Sequence, residues 1–534
     1  MEFQVQDSII IKNLRERNEN MEEKEQWSSR VTFILASIGS AVGLGNAWRF
    51  PGLAAKYGGG AFLLVYAIAM IVLGIPMLSM EIAIGRRTKQ GAIGAFRTMN
   101  KKAEYVGWAA TTNSFIISVY YAVVFAWVLA MVVFSSRFAG MVGEPEKAKN
   151  VFFEMTKTSG TIQGVHIPAA MLIALLVAWT LIYLCIRKGT VSAGKVVKYT
   201  GLTLPLIFLF IMAAKGISMP KGPQGLVKLF VPDFKTVIDD GNLPNLVIDA
   251  IGQVFYSLSI MMAIMIAYGS YVAEENNIAK DAVIIAVADL GVSVLSGIVM
   301  FTTMYGVGMT TENMSASGIA TAFIIFPQAM ANLTNTGWVN AGFGMVFYLC
   351  LSSLAVDSAF SITEGVSRSI SAHFKLDGRK VTKMLCIVAA VISLLFITES
   401  GLAWLDIVDN WTNQYNMIII GVMECIVVGW VFKPEKVLHE INKNTESYKM
   451  PVWWFKGSIK FIAPVILTLF CGWNFKNLFQ SGGIYGKADG YPLWSNIAGG
   501  WAITFLVFVS GFIAWAVIKR KQKHGFKEED YEWK

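Results

Sequence analysis

The sequence predicts an all-α polytopic membrane protein, on three observations. The 534 residues are 55% hydrophobic and 15% charged, with a mean hydropathy of +0.53, which excludes a soluble globular protein. Twelve apolar segments lie near 31–54, 60–84, 105–134, 166–186, 197–214, 246–271, 281–307, 339–368, 381–397, 402–432, 456–474 and 493–518. About 20 apolar residues cross about 30 Å of hydrocarbon as a helix. Lysine and arginine are biased between loops: Arg86, Arg87, Lys89, Arg97, Lys101 and Lys102 follow the second segment, Arg368, Lys375, Arg379, Lys380 and Lys383 the eighth, and Lys519, Arg520, Lys521 and Lys523 the last. That bias puts the even-numbered loops and both termini in the cytoplasm. The basic residues are spread between spans, so the net charge of +9 does not point to nucleic acid. Residues 1–29 are polar and precede a full-length span, so no cleavable signal is expected.

The first segment contains Gly39-Ser40-Ala41-Val42-Gly43-Leu44-Gly45-Asn46-Ala47-Trp48-Arg49-Phe50-Pro51. Each glycine weakens a helix by about 0.8–1 kcal/mol relative to alanine. Non-helical backbone at membrane depth survives only where protein buries it or a wet cavity solvates it. A break there offers carbonyls to a cation and amides to a carboxylate. The stretch therefore predicts a small-molecule and ion site in mid-membrane. Further along, Arg49, Glu81, Asp289, Asp357, Glu364, Asp409 and Glu424 are ionisable residues inside spans, where charge is costly and usually faces a cavity. The loop at about 311–338 has no Lys or Arg and is apolar, so it is expected to fold back as an external lid. The five cysteines are scattered and suggest neither a metal site nor a disulfide framework. The four histidines (His166, His373, His439, His524) read as interfacial or loop residues. No nucleophile–base–orienter set appears, so an enzyme is not expected.

The first motif resembles the neurotransmitter:sodium symporter family. So do Gly58-Gly59-Gly60-Ala61-Phe62, Gly74-Ile75-Pro76 with Glu81 and Gly85-Arg86, Tyr120-Tyr121, Gly252-Gln253-Val254-Phe255-Tyr256-Ser257-Leu258-Ser259 and Asp357-Ser358-Ala359-Phe360, and the similarity spans roughly 27–520. The resemblance implies a LeuT-type 5+5 inverted repeat with helices 1 and 6 broken. It divides the chain into a cytoplasmic segment 1–29, a transport core 30–432, accessory helices 433–520 and a cytoplasmic tail 521–534. The break in the sixth span rests on the resemblance alone, because Ser259-Ile260-Met261-Met262-Ala263 contains no glycine.

By the same resemblance, one sodium site uses Ala41, Asn46, Ser257 and Asp289, and a second uses Gly39, Val42, Leu354, Asp357 and Ser358. The substrate carboxylate would meet the Leu44 and Gly45 amides and Tyr121. The rest of the substrate site would comprise Ser40, Ala41, Ile117, Tyr256, Ser257, Ser259, Met262, Ser358, Ser361 and Ile362. Arg49 and Asp409, with Gln253 beside them, resemble an outer gate, while Trp27, Lys24 and Tyr271 belong to an inner gate. The inner gate's usual acid on the eighth span is missing, since Ala372-His373-Phe374 occupies its place. On the fifth span, Gly194 and Pro205 resemble a hinge with one extra residue of spacing.

Two departures refine the expectation. Position 43 is glycine, where members that carry monoamines resemble this motif but place aspartate. An amino acid brings its own carboxylate, so Gly43 favours an α-amino acid. Asp289 stands where many members have asparagine. Two sodium ions (+2), a zwitterion (0) and Asp289 with Asp357 (−2) sum to neutrality without chloride, and buried charge is costly unless compensated. The alternative is a chloride site of Tyr66, Gln253, Ser257 and Ser293. The expectation is a sodium-coupled importer of a hydrophobic L-amino acid in the cell membrane. Its partners are the amino acid and the bilayer, with no nucleic acid. The rival readings are a sodium-dependent amino-acid sensor of the same fold and a channel.

Overall fold

A computed structural model describes residues 26–314, 317–443, 448–521 and 533. Secondary structure among the described residues is helical, apart from an isolated bridge between Gly59 and Pro232. The helices are α1 (Arg30–Ala41), α2 (Gly45–Lys56), α3 (Gly60–Thr88), α4 (Lys101–Gly140), α5 (Ala169–Ile186), α6 (Thr190–Ser218), α7 (Leu243–Ser257), α8 (Ile264–Ser270), α9 (Ile278–Gly306), α10 (Gly318–Ala331), α11 (Gly337–Phe374), α12 (Gly378–Ile397), α13 (Gly401–Val431), α14 (Pro434–Ile441), α15 (Val452–Gln480) and α16, whose apolar span is Leu493–Ala514. Ten of these are long and apolar enough to cross a membrane, and α1 with α2 forms one further bent span, which makes eleven among the described residues. The remaining apolar segment is α7 and α8, 15 and 7 residues long and separated by a break. All five cysteines are free.

The first helix begins where Ser29 caps it, its hydroxyl accepting the Thr32 amide at 3.1 Å. It ends where the glycine-rich run begins, and α1 and α2 meet at 49°. Between α7 and α8, Ser259, Met261 and Ala263 hold φ of +53°, +63° and +59°. Left-handed backbone costs a non-glycine residue about 1–2 kcal/mol, so neighbours must hold this break. The Met261 amide donates to Glu81 Oε1 at 2.6 Å. The Ser114 hydroxyl donates to the Met262 carbonyl at 2.6 Å, and Ser259 Oγ to the Ser40 carbonyl at 2.8 Å. The two breaks thus abut and bond each other.

Prolines inside spans are handled in the same way. Pro76 has no N–H for the Val72 carbonyl one turn back. A wider turn at Met70–Gly74 precedes it, and Ser458 of α15 donates to Val72 O at 2.5 Å while Trp454 donates to Ile71 O at 3.1 Å. The loop before α11 does fold back: α10 buries Phe323 against Trp48, Trp127, Phe152 and Tyr348, and Phe326 stacks on Phe347 at 3.5 Å. His373 departs from its interfacial reading. It is buried beside Trp108 and Phe374 with Nε2 3.6 Å from Glu104, because the end of α11 packs on the start of α4.

Replacing Ser458 by alanine leaves the Val72 carbonyl unsatisfied. It should cost about 1–3 kcal/mol, read as a lower Tm of purified protein in detergent.

Candidate functional site

A buried cavity lies where the two breaks meet. The space open to the centre of a water molecule is about 20 Å³, room for about one water. It is lined by Ser40, Ala41, Gly43, Leu44, Gly45 and Asn46 from the first break, Tyr256, Ser257, Ser259 and Met262 from the second, Ile117 and Tyr121 of α4, and Ser358 and Ile362 of α11. Twelve of the thirteen residues expected at a substrate site line this cavity. Ser361 lies behind the wall, where Ser40 Oγ donates to its hydroxyl at 2.8 Å.

The cavity's shape depends on two glycines. A Cβ on Gly43 would lie 2.6 Å from Ser358 Oγ and 3.4 Å from the Tyr121 hydroxyl, leaving no room there for a carboxylate side chain. A Cβ on Gly45 would lie 2.6 Å from the Tyr256 ring, so the ring roofs bare backbone. The Tyr121 hydroxyl is buried and has no hydrogen-bond partner, which leaves a donor facing the cavity.

On one flank, Asp289 of α9 is fully buried. Its Oδ1 accepts from Asn46 Nδ2 at 2.7 Å. Its Oδ2 accepts from Ser257 Oγ at 2.5 Å and from the Tyr66 hydroxyl at 3.1 Å. Asn46 Nδ2 also reaches Ser293 Oγ at 2.8 Å, and Asn46 Oδ1 accepts the Gly43 amide at 3.1 Å. The structure therefore brings together Asn46, Ser257 and Asp289 with Tyr66 and Ser293, and the carboxylate takes donors from Asn46, Ser257 and Tyr66. Gln253 is turned away, donating to the Gly45 carbonyl at 3.2 Å.

On the other flank, Asp357 of α11 faces α1. Its Oδ1 accepts from Thr200 Oγ1 of α6 at 2.6 Å. Its Oδ2 is buried without a partner, 2.5 Å from where a Cβ on Gly39 would sit. An orphaned carboxylate oxygen pressed against glycine backbone suits a hard cation. Thr200 was not anticipated. It sits beside Gly201, whose Cα packs on Gly39, and α6 is locally broken there between Thr200 and Thr203.

The expected outer pair is not closed. Arg49 lies over the Tyr256 ring at 5.7 Å, while Asp409 accepts from Asn413 at 2.8 Å. Each charge already has a partner, an aromatic face and an amide. At the start of α1, Trp27 donates from its ring to the Tyr268 carbonyl at 3.2 Å and packs edge-on to Tyr268 and Tyr271. Lys24 lies outside the described residues. The acid expected to be missing from α11 is supplied two turns earlier, since the Tyr271 hydroxyl donates to Glu364 Oε1 at 2.7 Å and Arg368 covers the Tyr271 ring at 4.8 Å. The presence of Glu364 inside an apolar span was the available signal. Arg30 adds a second tie, with Nη2 2.6 Å from the buried Asp281.

Tyr271→Phe removes the bond to Glu364 and should loosen this closure. The expected result is faster labelling of a cysteine introduced at Ser40 by an impermeant thiol reagent applied from the cytoplasmic side.

The chain is similar to known proteins over most of its length. A model of the sodium:neurotransmitter symporter family matches residues 24–141 and 146–522. The chain is 32% identical over 466 residues to an uncharacterized sodium-dependent transporter of Methanocaldococcus jannaschii, covering 86% of this chain and 92% of that relative. It is 29% identical over 526 residues to the sodium-dependent neutral amino acid transporter B(0)AT3 of Mus musculus, covering 84% and 83%. It is 28% identical over 533 residues to the sodium- and chloride-dependent transporter XTRP3 of Rattus norvegicus, covering 84% and 85%.

Proposed function

The chain belongs to the sodium:neurotransmitter symporter family, and from that premise we propose that it is a sodium-coupled symporter importing a hydrophobic L-α-amino acid by alternating access, with no chloride requirement. The family is one of transporters rather than enzymes, and this member is a multi-pass membrane protein. The proposed architecture counts α1 with α2, and α7 with α8, as single spans. That gives twelve in a 5+5 repeat plus two accessory helices beyond residue 432, with both termini in the cytoplasm of a cell-membrane protein.

The observation that carries the proposal is the cavity between the two breaks, with the unpartnered Asp357 Oδ2 and Tyr121 hydroxyl beside it. In this reading Tyr121 and the Leu44 and Gly45 amides hold the substrate carboxylate. Ala41 and the α7–α8 break hold the ammonium, and Ile117, Met262 and Ile362 face the side chain. Asn46, Ser257 and Asp289 with the Ala41 carbonyl hold one sodium, which also touches the substrate carboxylate. Asp357, Ser358 and the Gly39, Val42 and Leu354 carbonyls hold the other. A sodium ion shared with the substrate makes binding of each favour the other. Each ion moved across 100 mV supplies about 2.3 kcal/mol. The neutral amino acid named for the mouse relative is compatible with this site, and Gly43 leaves no room for a carboxylate that a bare amine would need.

Chloride independence is supported by the position of Asp289. Its Oδ2 lies where Ser257 and Tyr66 converge as donors, and through Asn46 it is joined to Ser293. An internal carboxylate there supplies the negative charge that an anion would otherwise bring. The rat relative is named as chloride-dependent, so the question is specific to this chain.

Thermal shift of the purified protein against twenty amino acids, in sodium and in potassium, tests the substrate. A sodium-dependent shift for one hydrophobic class is expected, and no such shift for any amino acid refutes the proposal. Counterflow in vesicles separates transport from sensing. Asp289→Asn should impose a chloride requirement or abolish uptake, and full chloride-independent uptake by that variant would overturn the reading of Asp289.

A further inference from the structure

Close backbone packing brings α6 to Asp357. Gly194 and Gly201 of α6 lie two turns apart and both face α1. A Cβ on Gly194 would stand 2.9 Å from Thr32 Cγ2, and one on Gly201 would stand 2.8 Å from the Leu35 carbonyl oxygen. Thr32, Leu35 and Gly39 follow one face of α1, and a Cβ on Gly39 would lie 3.1 Å from Gly201 Cα. Small residues allow helix backbones to approach this closely. The missing side chain of Gly39 also makes room for Asp357, whose Oδ2 lies 2.5 Å from the same Cβ position. At Gly39, α1 is thin enough for a side chain of α6 to reach α11.

Thr200 makes that reach. Its Oγ1 donates to Asp357 Oδ1 at 2.6 Å. Asp357 is 1% exposed, its Oδ2 has no partner, and Thr200 is its sole hydrogen-bond donor among the described residues. The Val196 carbonyl oxygen lies 3.0 Å from the same hydroxyl, where a threonine in a helix commonly donates. A hydroxyl has one proton, and a carboxylate is the stronger acceptor, so the proton goes to Asp357. Thr200 also ends the first stretch of α6, and the next begins at Thr203. Pro205 contributes to that gap, because it has no N–H for the Gly201 carbonyl.

We infer that Thr200 is a positioning residue for the cation at Asp357: it holds Oδ1 to α6 so that Oδ2 is presented beside the Gly39 backbone. In the symport reading, on which this depends, a sodium ion sits there. A carboxylate turns about its side-chain torsions, and fixing one oxygen sets the direction of the other. The donor is neutral, so it leaves the full negative charge to the ion. Without it both carboxylate oxygens lack a partner, and nothing on α6 holds the group toward Gly39. Orientation outweighs the small gain in free charge, because a hard cation accepts its oxygens only within a narrow range of distance.

Sodium titrations of Tm, with potassium replacing sodium at constant ionic strength, test this on the full purified chain without substrate. Thr200→Val keeps the shape and removes the donor. It should raise the sodium concentration that gives half of the stabilisation by about tenfold. Thr200→Ser keeps the donor and should stay near the wild-type value. A merely structural role for Thr200 would lower Tm at every sodium concentration and leave the half-point where it is. An unchanged or lower half-point in T200V, or a T200S half-point that follows T200V, would overturn the role of Thr200 while leaving sodium coupling intact. A wild type that sodium does not stabilise relative to potassium would overturn the symport reading, and this role with it. If T200V does not fold, Thr200→Ala removes the same hydroxyl and carries the same expectations.

Discussion

The structure depends on one constraint: backbone polar groups freed inside a membrane must find partners within the protein. Two interruptions, after Ala41 and after Ser257, free such groups at one depth. Partners come from three other helices. Ser114 of α4 donates to the Met262 carbonyl, Glu81 of α3 accepts the Met261 amide, and Ser358 of α11 donates to the Ser40 carbonyl. The cavity lies where those partners converge. Even the strained backbone at Ser259, Met261 and Ala263 persists because three bonds to other helices or to the first break over-determine it.

Electrostatics follow from the same geometry. Carboxylates that approach the breaks are buried, and each is compensated differently. Asp289 accepts three hydrogen-bond donors, Asp357 accepts one and leaves an oxygen open beside the Gly39 backbone, and Glu81 accepts an amide. A closed set of bonds, an open oxygen and a carboxyl held by one amide are chemically distinct environments although they arise from similar residues.

The two sides of the cavity are built unequally. On the side where α1 begins, Trp27, Tyr268, Tyr271, Glu364 and Arg368 form a continuous aromatic and polar plug, and Arg30 ties α1 to Asp281. On the other side, Tyr256 covers Gly45 and Arg49 rests on that ring, under the apolar cover of α10. Breaking the first set requires separating buried polar contacts, whereas the second consists mainly of stacked faces.

Much of this was legible in the chain. Hydropathy located each of the ten long apolar helices among the described residues, because such a stretch is stable in lipid as a helix. The glycines at 39, 43 and 45 announced the first break, because the signal for it is local. The lid of α10 was readable from an apolar loop without charge. The second break was not readable from its own residues, since a methionine-rich stretch without glycine adopts left-handed backbone only when distant partners hold it. The same holds for Thr200 against Asp357, for Glu364 in place of an acid near residue 372, and for the separation of Arg49 from Asp409. The sequence alone determined which segments are apolar enough to lie in a membrane and where the first helix would fail. Only the tertiary structure decided which buried group met which, because those pairings join residues tens to hundreds of positions apart and depend on how whole helices pack.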